Sequence, residues 1–167
     1  MKKLLLISLL SVGIAFGCFA QSSDNGSKIS IGIDAASPNG VASEVYNFGL
    51  GVSIKLEVPA ATNLYGTIGA GYEAFFTKGI LKQYGANSAY GFIPFKAGLK
   101  YYFNPSIYGE FQAGVAIPTD GNGGVAFAYS PGLGYTVDNG LDISFRYEAW
   151  SKQGTFGQVA ARIAYRF

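Results

Sequence analysis

An all-β fold, an eight-stranded antiparallel up-and-down barrel, is predicted by three features of the sequence. Apolar residues recur at every second position through most of the chain, the period of a strand and not of a helix. The alternating runs number eight, an even count, and long connections alternate with short ones between them. Of the twenty charged residues beyond position 20, thirteen fall inside the runs and all take the same parity, opposite to the apolar side chains. With 24 glycines, 12 tyrosines and 13 phenylalanines in 167 residues, composition also favours many short strands over helices.

The first twenty residues precede the fold. Lys2 and Lys3 lead an uncharged, mostly apolar run from Leu4 to Phe19, which ends at Ala20 before polar Gln21, Ser22, Ser23 and Asp24. Such a run is shorter than the ~20 residues a spanning helix needs and reads as a secretory signal peptide, cleaved after Ala20. The competing reading makes Cys18 a lipid-bearing first residue. Residues 21–27 are then a short tail, and residues 28–167 form the barrel.

The first strand, Lys28 to Ala35, rests on Ile29, Ile31 and Ile33, and the second, Asn47 to Val58, on Phe48, Leu50, Val52, Ile54, Leu56 and Val58. Leu64 to Phe76 follows from Leu64, Ile68, Ala70 and Tyr72; Ala89 to Phe103 from Ile93, Phe95, Ala97, Leu99, Tyr101 and Phe103. Ile107 to Ile117 carries Ile107, Phe111, Ala113 and Val115, and Val125 to Val137 carries Phe127, Tyr129, Leu133 and Tyr135. The last two, Leu141 to Trp150 and Gly157 to Phe167, rest on Ile143, Phe145 and Tyr147, then on Val159, Ala161, Ile163 and Tyr165. Asn104-Pro105-Ser106 and Asp138-Asn139-Gly140 are tight-turn chemistry at the short-connection end. Four longer loops, Ala36 to Tyr46, Thr77 to Ser88, Pro118 to Gly124 and Ser151 to Phe156, share the other end.

One face therefore carries Lys28, Asp34, Lys55, Glu57, Glu73, Lys96, Lys100, Glu110, Asp142, Arg146, Glu148, Arg162 and Arg166, and the other carries no charge. A soluble barrel would turn the apolar face inward around a ligand, whereas a membrane barrel turns it toward lipid. Three features favour lipid. Apolar-face aromatics gather at the strand ends, with Phe48, Tyr72, Phe76, Phe127, Tyr129 and Tyr147 toward the long loops and Tyr101, Phe103, Tyr135, Tyr165 and Phe167 toward the short turns. These read as two interfacial girdles. On its polar parity the sixth strand shows only Ala126, Ala128, Ser130, Gly132, Gly134 and Thr136, small residues that make room for Tyr108, Arg146, Glu148 and Trp150 inside a narrow lumen. Seven basic and six acidic strand residues nearly cancel, as a poorly hydrated interior requires, and a hairpin centred on Pro105 sets Lys100 opposite Glu110 as an expected ion pair. Seven of the eight strands reach the ~9 to 11 residues that cross a bilayer, the first being short. Pro94 and Pro131 lie inside strands, where a bulge or a strand shift is expected at one or both.

The stretch from Ile93 to Phe103, Ile-Pro-Phe-Lys-Ala-Gly-Leu-Lys-Tyr-Tyr-Phe, followed by Asn104-Pro105 and Tyr108-Gly109-Glu110, resembles the small outer-membrane β-barrel proteins of Bacteroidota. These are themselves similar to the OmpX and OmpA transmembrane barrels. The ending with Ile163, Tyr165 and Phe167 resembles the C-terminal signal read by the outer-membrane assembly machinery. The resemblance implies periplasmic short turns and termini, cell-surface long loops, contact with lipid and lipopolysaccharide, and no shared chemistry.

Chemistry is sparse. The sequence has no histidine, the commonest general base and metal ligand. Outer-membrane enzymes of this size resemble a palmitoyl transferase or a lipid A deacylase, and both types depend on a histidine beside a serine, so an enzyme is not expected. Asp142 and Glu148 lie six residues apart on one strand, roughly 20 Å, too far for a glycosidase pair; pairing with Arg146, Arg162 and Arg166 is expected instead. Cleavage after Ala20 would leave no cysteine and ten basic against ten acidic residues, so no bulk field points to nucleic acid. No cofactor or metal is expected. The expected role is that of a monomeric structural or surface-interaction protein whose loops meet an unidentified extracellular ligand, the candidate contacts being Asn39, Glu44, Tyr46, Lys78, Lys82, Tyr84 and Asn87. A narrow porin-like path and a soluble periplasmic barrel are the alternatives.

Overall fold

The computed structural model describes residues 26–83, 87–121, 124–152 and 154–167; the expected signal peptide, including Cys18 and Ala20, and Tyr84 lie outside them. Eight antiparallel strands close in sequence order into a barrel: β1 Lys28–Asn39, β2 Tyr46–Ala61, β3 Leu64–Thr77, β4 Ala89–Tyr102, β5 Ile107–Pro118, β6 Ala126–Thr136, β7 Leu141–Ser151 and β8 Thr155–Arg166. Two short helices, α1 (Ala42–Val45) and α2 (Gly79–Gln83), interrupt the first two long loops. Every strand has at least 11 residues, enough at ordinary tilt to cross a bilayer core.

β1 is not short. It runs four residues past Ala35 because β8 continues to pair with it, Ser37↔Val159, Pro38↔Gln158 and Asn39↔Gly157. The Ala-Ala-Ser-Pro-Asn run reads locally as loop, but a partner strand supplies the ladder. The seam between β1 and β8, from Ser30↔Arg166 to Asn39↔Gly157, leaves no free sheet edge. Hydrocarbon demands that closure, since nothing in it can bond a free N–H or C=O.

The expected bulges at Pro94 and Pro131 are absent. Pairing of β3 with β4 stops at Ala70↔Phe95 and resumes in the same register at Glu73↔Phe92, while β4 and β5 continue unbroken through Pro94↔Ala116. Pro131 repeats the arrangement, paired with Phe111 on one side while the β6–β7 ladder skips from Tyr129↔Ala149 to Gly132↔Arg146. Each ring costs the ladder on one side only, so no residue needs to be inserted. The register shifts lie instead near the two ends of β2, between Tyr46 and Phe48 and between Pro59 and Ala61.

Short turns close one end. Asn63 takes a φ of 62° in the two-residue β2–β3 turn, a left-handed conformation that asparagine tolerates. Asn104 Oδ1 accepts from the N–H groups of Ser106 and Ile107 at 2.9 and 2.7 Å, and Gly140 supplies a φ of 90° before Leu141 N–H reaches Asn139 Oδ1. At the opposite end the β7–β8 connection is only residues 152–154, because Ser151↔Thr155 and Trp150↔Phe156 are paired. Three longer loops, not four, therefore crown the barrel.

The two faces are inverted relative to a water-soluble protein. Ile33 is 66% and Phe145 63% exposed on the outside, whereas Lys100 and Glu148 are fully buried inside. The wall outside is Ile, Leu, Val and Phe, and the described residues place every strand charge on the lumen side.

Candidate functional site

The lumen is filled by cross-braced charges. Lys55 on β2 reaches Glu110 on β5 at 2.7 Å, and Lys96 on β4 reaches Glu148 on β7 at 2.6 Å. Lys100 bonds Glu57 at 2.7 Å and Asp142 at 3.3 Å, with its ammonium 3.7 Å from the Tyr108 ring centroid. Register does place Lys100 opposite Glu110, but the expected pair between them does not form. The lumen is narrow enough for a lysine to span it, and Lys55, Lys96 and Lys100 each find a carboxylate on a strand that is not their neighbour. Arg146 joins Asp34 at 2.7 Å to Glu148 at 2.9 Å, and Arg162 Nε donates to Ser53 Oγ, which donates to Asp34 Oδ2. Arg162 stands 4.0 Å from Asp142, while Arg166 meets the Tyr102 hydroxyl at 2.8 Å instead of a carboxylate. Glu73 is buried with Oε1 unpartnered among the described residues.

Small residues make room for this filling. A Cβ on Gly134 would stand 2.2 Å from the Tyr108 ring, and one on Gly132 would stand 2.9 Å from Arg146 Cβ; Ala128 faces Trp150 across the ladder. Tyr108 cannot retreat freely, because its hydroxyl donates to Asp142 at 2.7 Å. Gly134→Val is expected to destabilise the barrel by about 1–3 kcal/mol, the usual range for overpacking. Gly66→Val should cost little, since its Cβ would meet only the Val58 carbonyl oxygen at 3.9 Å. Guanidinium unfolding midpoints of the two variants in detergent check the contrast.

Aromatic layers close the ionic zone at both ends. Tyr65, Tyr102 and Tyr108 form a buried cluster toward the short turns. Toward the long loops, Phe75, Phe92, Trp150 and Phe156 pack with Tyr46; Trp150 and Phe156 stack at 5.2 Å, and the Phe75 ring stands nearly perpendicular to both. The indole N–H donates to Glu148 Oε1 at 2.7 Å, which ties this layer to the ion pairs below. Between the layers lies a chamber of about 50 Å³ bordered by Asp34, Lys55, Glu73, Glu110, Ser130 and Arg162, room for a few waters but not for a continuous pore.

Above the upper layer opens a cup of about 650 Å³, walled by Tyr46, Tyr90, Phe92, Trp150 and Phe156 and bordered by Asp120, Lys152 and Thr155. The sequence reading missed it. Its signal was parity for Tyr90, Phe92, Trp150 and Phe156, which sit at the long-loop ends of their strands on the side otherwise taken by charges; Tyr46 has the outward parity of β2 and turns inward at the register shift before Phe48, which no period-two reading shows.

The expected loop contacts scatter. Tyr46 is half-buried at the start of β2, its ring packed on Phe75, Tyr90 and Phe156. Asn39 is the half-buried last residue of β1, and Lys78 is half-buried with its backbone N–H on the Val45 carbonyl. Glu44 on α1 and Asn87 are exposed; the side chain of Lys82 and all of Tyr84 lie outside the described residues. The outward aromatics form two bands. Phe48 stacks on Phe76 at 4.8 Å and Phe127 lies beside Tyr129 at the long-loop end, where Tyr72 and Tyr147 are also exposed on the outer wall. Tyr101 with Phe103 and Tyr165 with Phe167 pair at the other, where Tyr135 joins them. Ile163 is exposed on β8 between the bands.

No protein-family model matches the sequence, and no curated protein matches it. Solved structures do. The attachment invasion locus protein Ail of Yersinia pestis is similar over 84% of this chain and 97% of its own, with 14% identity and a TM-score of 0.58. A de novo designed transmembrane β-barrel covers 84% of this chain and 95% of its own, at 17% identity and a TM-score of 0.55. Neisserial surface protein A covers 87% of this chain and 100% of its own, at 14% identity and a TM-score of 0.50. At such identities the likeness is one of fold, and that fold is the eight-stranded antiparallel transmembrane β-barrel.

Proposed function

We propose that the chain is an integral outer-membrane barrel of a Gram-negative bacterium, of the Bacteroidota type, exported by a signal peptide cleaved after Ala20. It is monomeric and non-enzymatic, and acts as a structural or surface-interaction protein through its long-loop end. The observation that carries this reading is the inversion of its faces, a continuous apolar wall outside and a neutralised charge network inside. Such a wall is stable only against acyl chains. Lipid and lipopolysaccharide are its lateral partners, with the two aromatic bands at the interfaces. The assembly machinery reads Ile163, Tyr165 and Phe167, which project outward from the last strand and its end. Against catalysis stands the absence of any histidine from the sequence. A solute path would have to pass both aromatic layers, and a ligand-holding soluble barrel would need the apolar face inside.

The test is heat-modifiable migration in detergent gels joined to protease treatment of intact cells. A folded barrel shifts on boiling, and cleavage maps to the β1–β2, β3–β4 or β5–β6 loop. Recovery of the chain in the aqueous periplasm without detergent overturns the reading.

A further inference from the structure

We infer that the cup at the long-loop end is a binding site for a small molecule with a flat apolar ring system and one polar end. The inference rests on the reading just given, since it needs that end to stand in water beyond the membrane. Three observations carry it.

First, the cup is blind. Its floor is Trp150 and Phe156 backed by fully buried Phe75 and by buried Ala116 and Ala128, so the cavity ends at the rings and does not lead into the lumen. Its volume of about 650 Å³ falls within the range of small-molecule sites, about 300–1,000 Å³.

Second, the floor is held in place before anything arrives. Trp150 donates its N–H to Glu148 Oε1, and Lys96 and Arg146 both hold Glu148 Oε2, at 2.6 and 2.9 Å. Phe92 and Phe75 clamp the indole from two sides, with centroids 5.0 and 5.5 Å away. A ring platform fixed in this way loses little entropy when a ligand settles on it.

Third, polarity is sorted by depth. The deep residues, Phe92, Trp150, Phe156 and Ala126, are apolar, whereas the polar side chains of the lining, Asp120 and Lys152 in the loop and turn and Thr155 at the first position of β8, stand around the opening beside Val41 and Val45. A flat apolar body matches the rings, and a hydroxyl or an amide matches the opening. A protein partner would need a broad, flatter surface of about 800 Å² on each side, which a concave cup does not offer.

Trp150 is the sole tryptophan of the sequence, so its fluorescence reports on this floor alone. The probe is 4-bromobenzyl alcohol, whose bromine quenches an indole only in contact, added to the barrel in dodecylmaltoside micelles, which contribute no indole of their own. 2-Bromoethanol, with the same bromine and hydroxyl but no ring, is the comparison. Saturable quenching by the aromatic probe, half-complete at about 1 mM or below, is expected. The ringless probe should quench weakly and without saturation.

Ala126→Phe, which lays a ring across the deep apolar part of the cup, should abolish the saturable part. Tyr90→Ala, which removes a wall ring without adding bulk, should weaken half-saturation at least five-fold and covers the case in which the filled variant does not fold. Unsaturable quenching of the wild type, or saturation unchanged in a variant that folds, overturns the site while the barrel, shifting on boiling, stands. A wild-type chain that shows no heat-modifiable form in micelles overturns both readings together.

Discussion

Lys100→Met should cost the folded barrel about 3–5 kcal/mol, the penalty for removing one partner from a buried ion pair. The ammonium is fully buried between Glu57 and Asp142, each about 1% exposed, and lies close over the Tyr108 ring. Methionine fills most of the volume, so lost packing is a minor part of the effect. What remains are two carboxylates with less compensation: Asp142 keeps the Tyr108 and Thr136 hydroxyls and a distant Arg162, but Glu57 keeps no cation within bonding distance among the described residues. Guanidinium unfolding in detergent micelles measures the loss. Glu57→Gln in the same chain should recover part of it, because the cost lies in the stranded charge and not in the missing contact. A single substitution costing under about 1 kcal/mol would mean that the lumen is wet enough to solvate these groups.

Ile54→Arg should cost about 2–4 kcal/mol in a bilayer, the penalty for a cation on the lipid face near the midplane of a barrel. Ile54 is exposed on the outer wall near the middle of β2, flanked by Ile31 and Ala70 in register. Phe103→Arg, at the edge of the outer wall beside the β4–β5 turn, should cost about 0–1 kcal/mol by the same depth rule. In water both positions are surface sites where a substitution is usually worth within about 0.5 kcal/mol. The difference between the two variants, measured by unfolding from liposomes, therefore reads the solvent of the outer wall directly. Equal small costs at both positions would return the barrel to water.

Strand number, parity and turn positions were legible in the sequence because each depends on period two and on local turn chemistry. Asn104, Asn139 and Gly140 act through their own backbone neighbours, which a linear reading can follow. What was not legible depends on distance through space. The end of β1 is set by β8, more than a hundred residues away, and the partner of Lys100 is set by the lumen's width, not by the hairpin that places Glu110 beside it. The prolines misled for a related reason: each strand has two neighbours, and only one of them depends on the missing N–H. The cup is not legible because Tyr46 lies in a stretch that reads locally as loop, and because only closure of the barrel brings the inward aromatics of four other strand ends together around it.

The seam between the first and last strands has a consequence for assembly order. Every other pairing joins segments adjacent in the chain and can form as a hairpin on its own, whereas Ser30↔Arg166 must wait until the final strand has been delivered. Until then two raw edges, on β1 and β7, face a medium that cannot satisfy them. The intermediate with seven strands is thus the most vulnerable species on the route, and a chain deprived of β8 should accumulate as an unclosed ribbon needing a chaperone's grip.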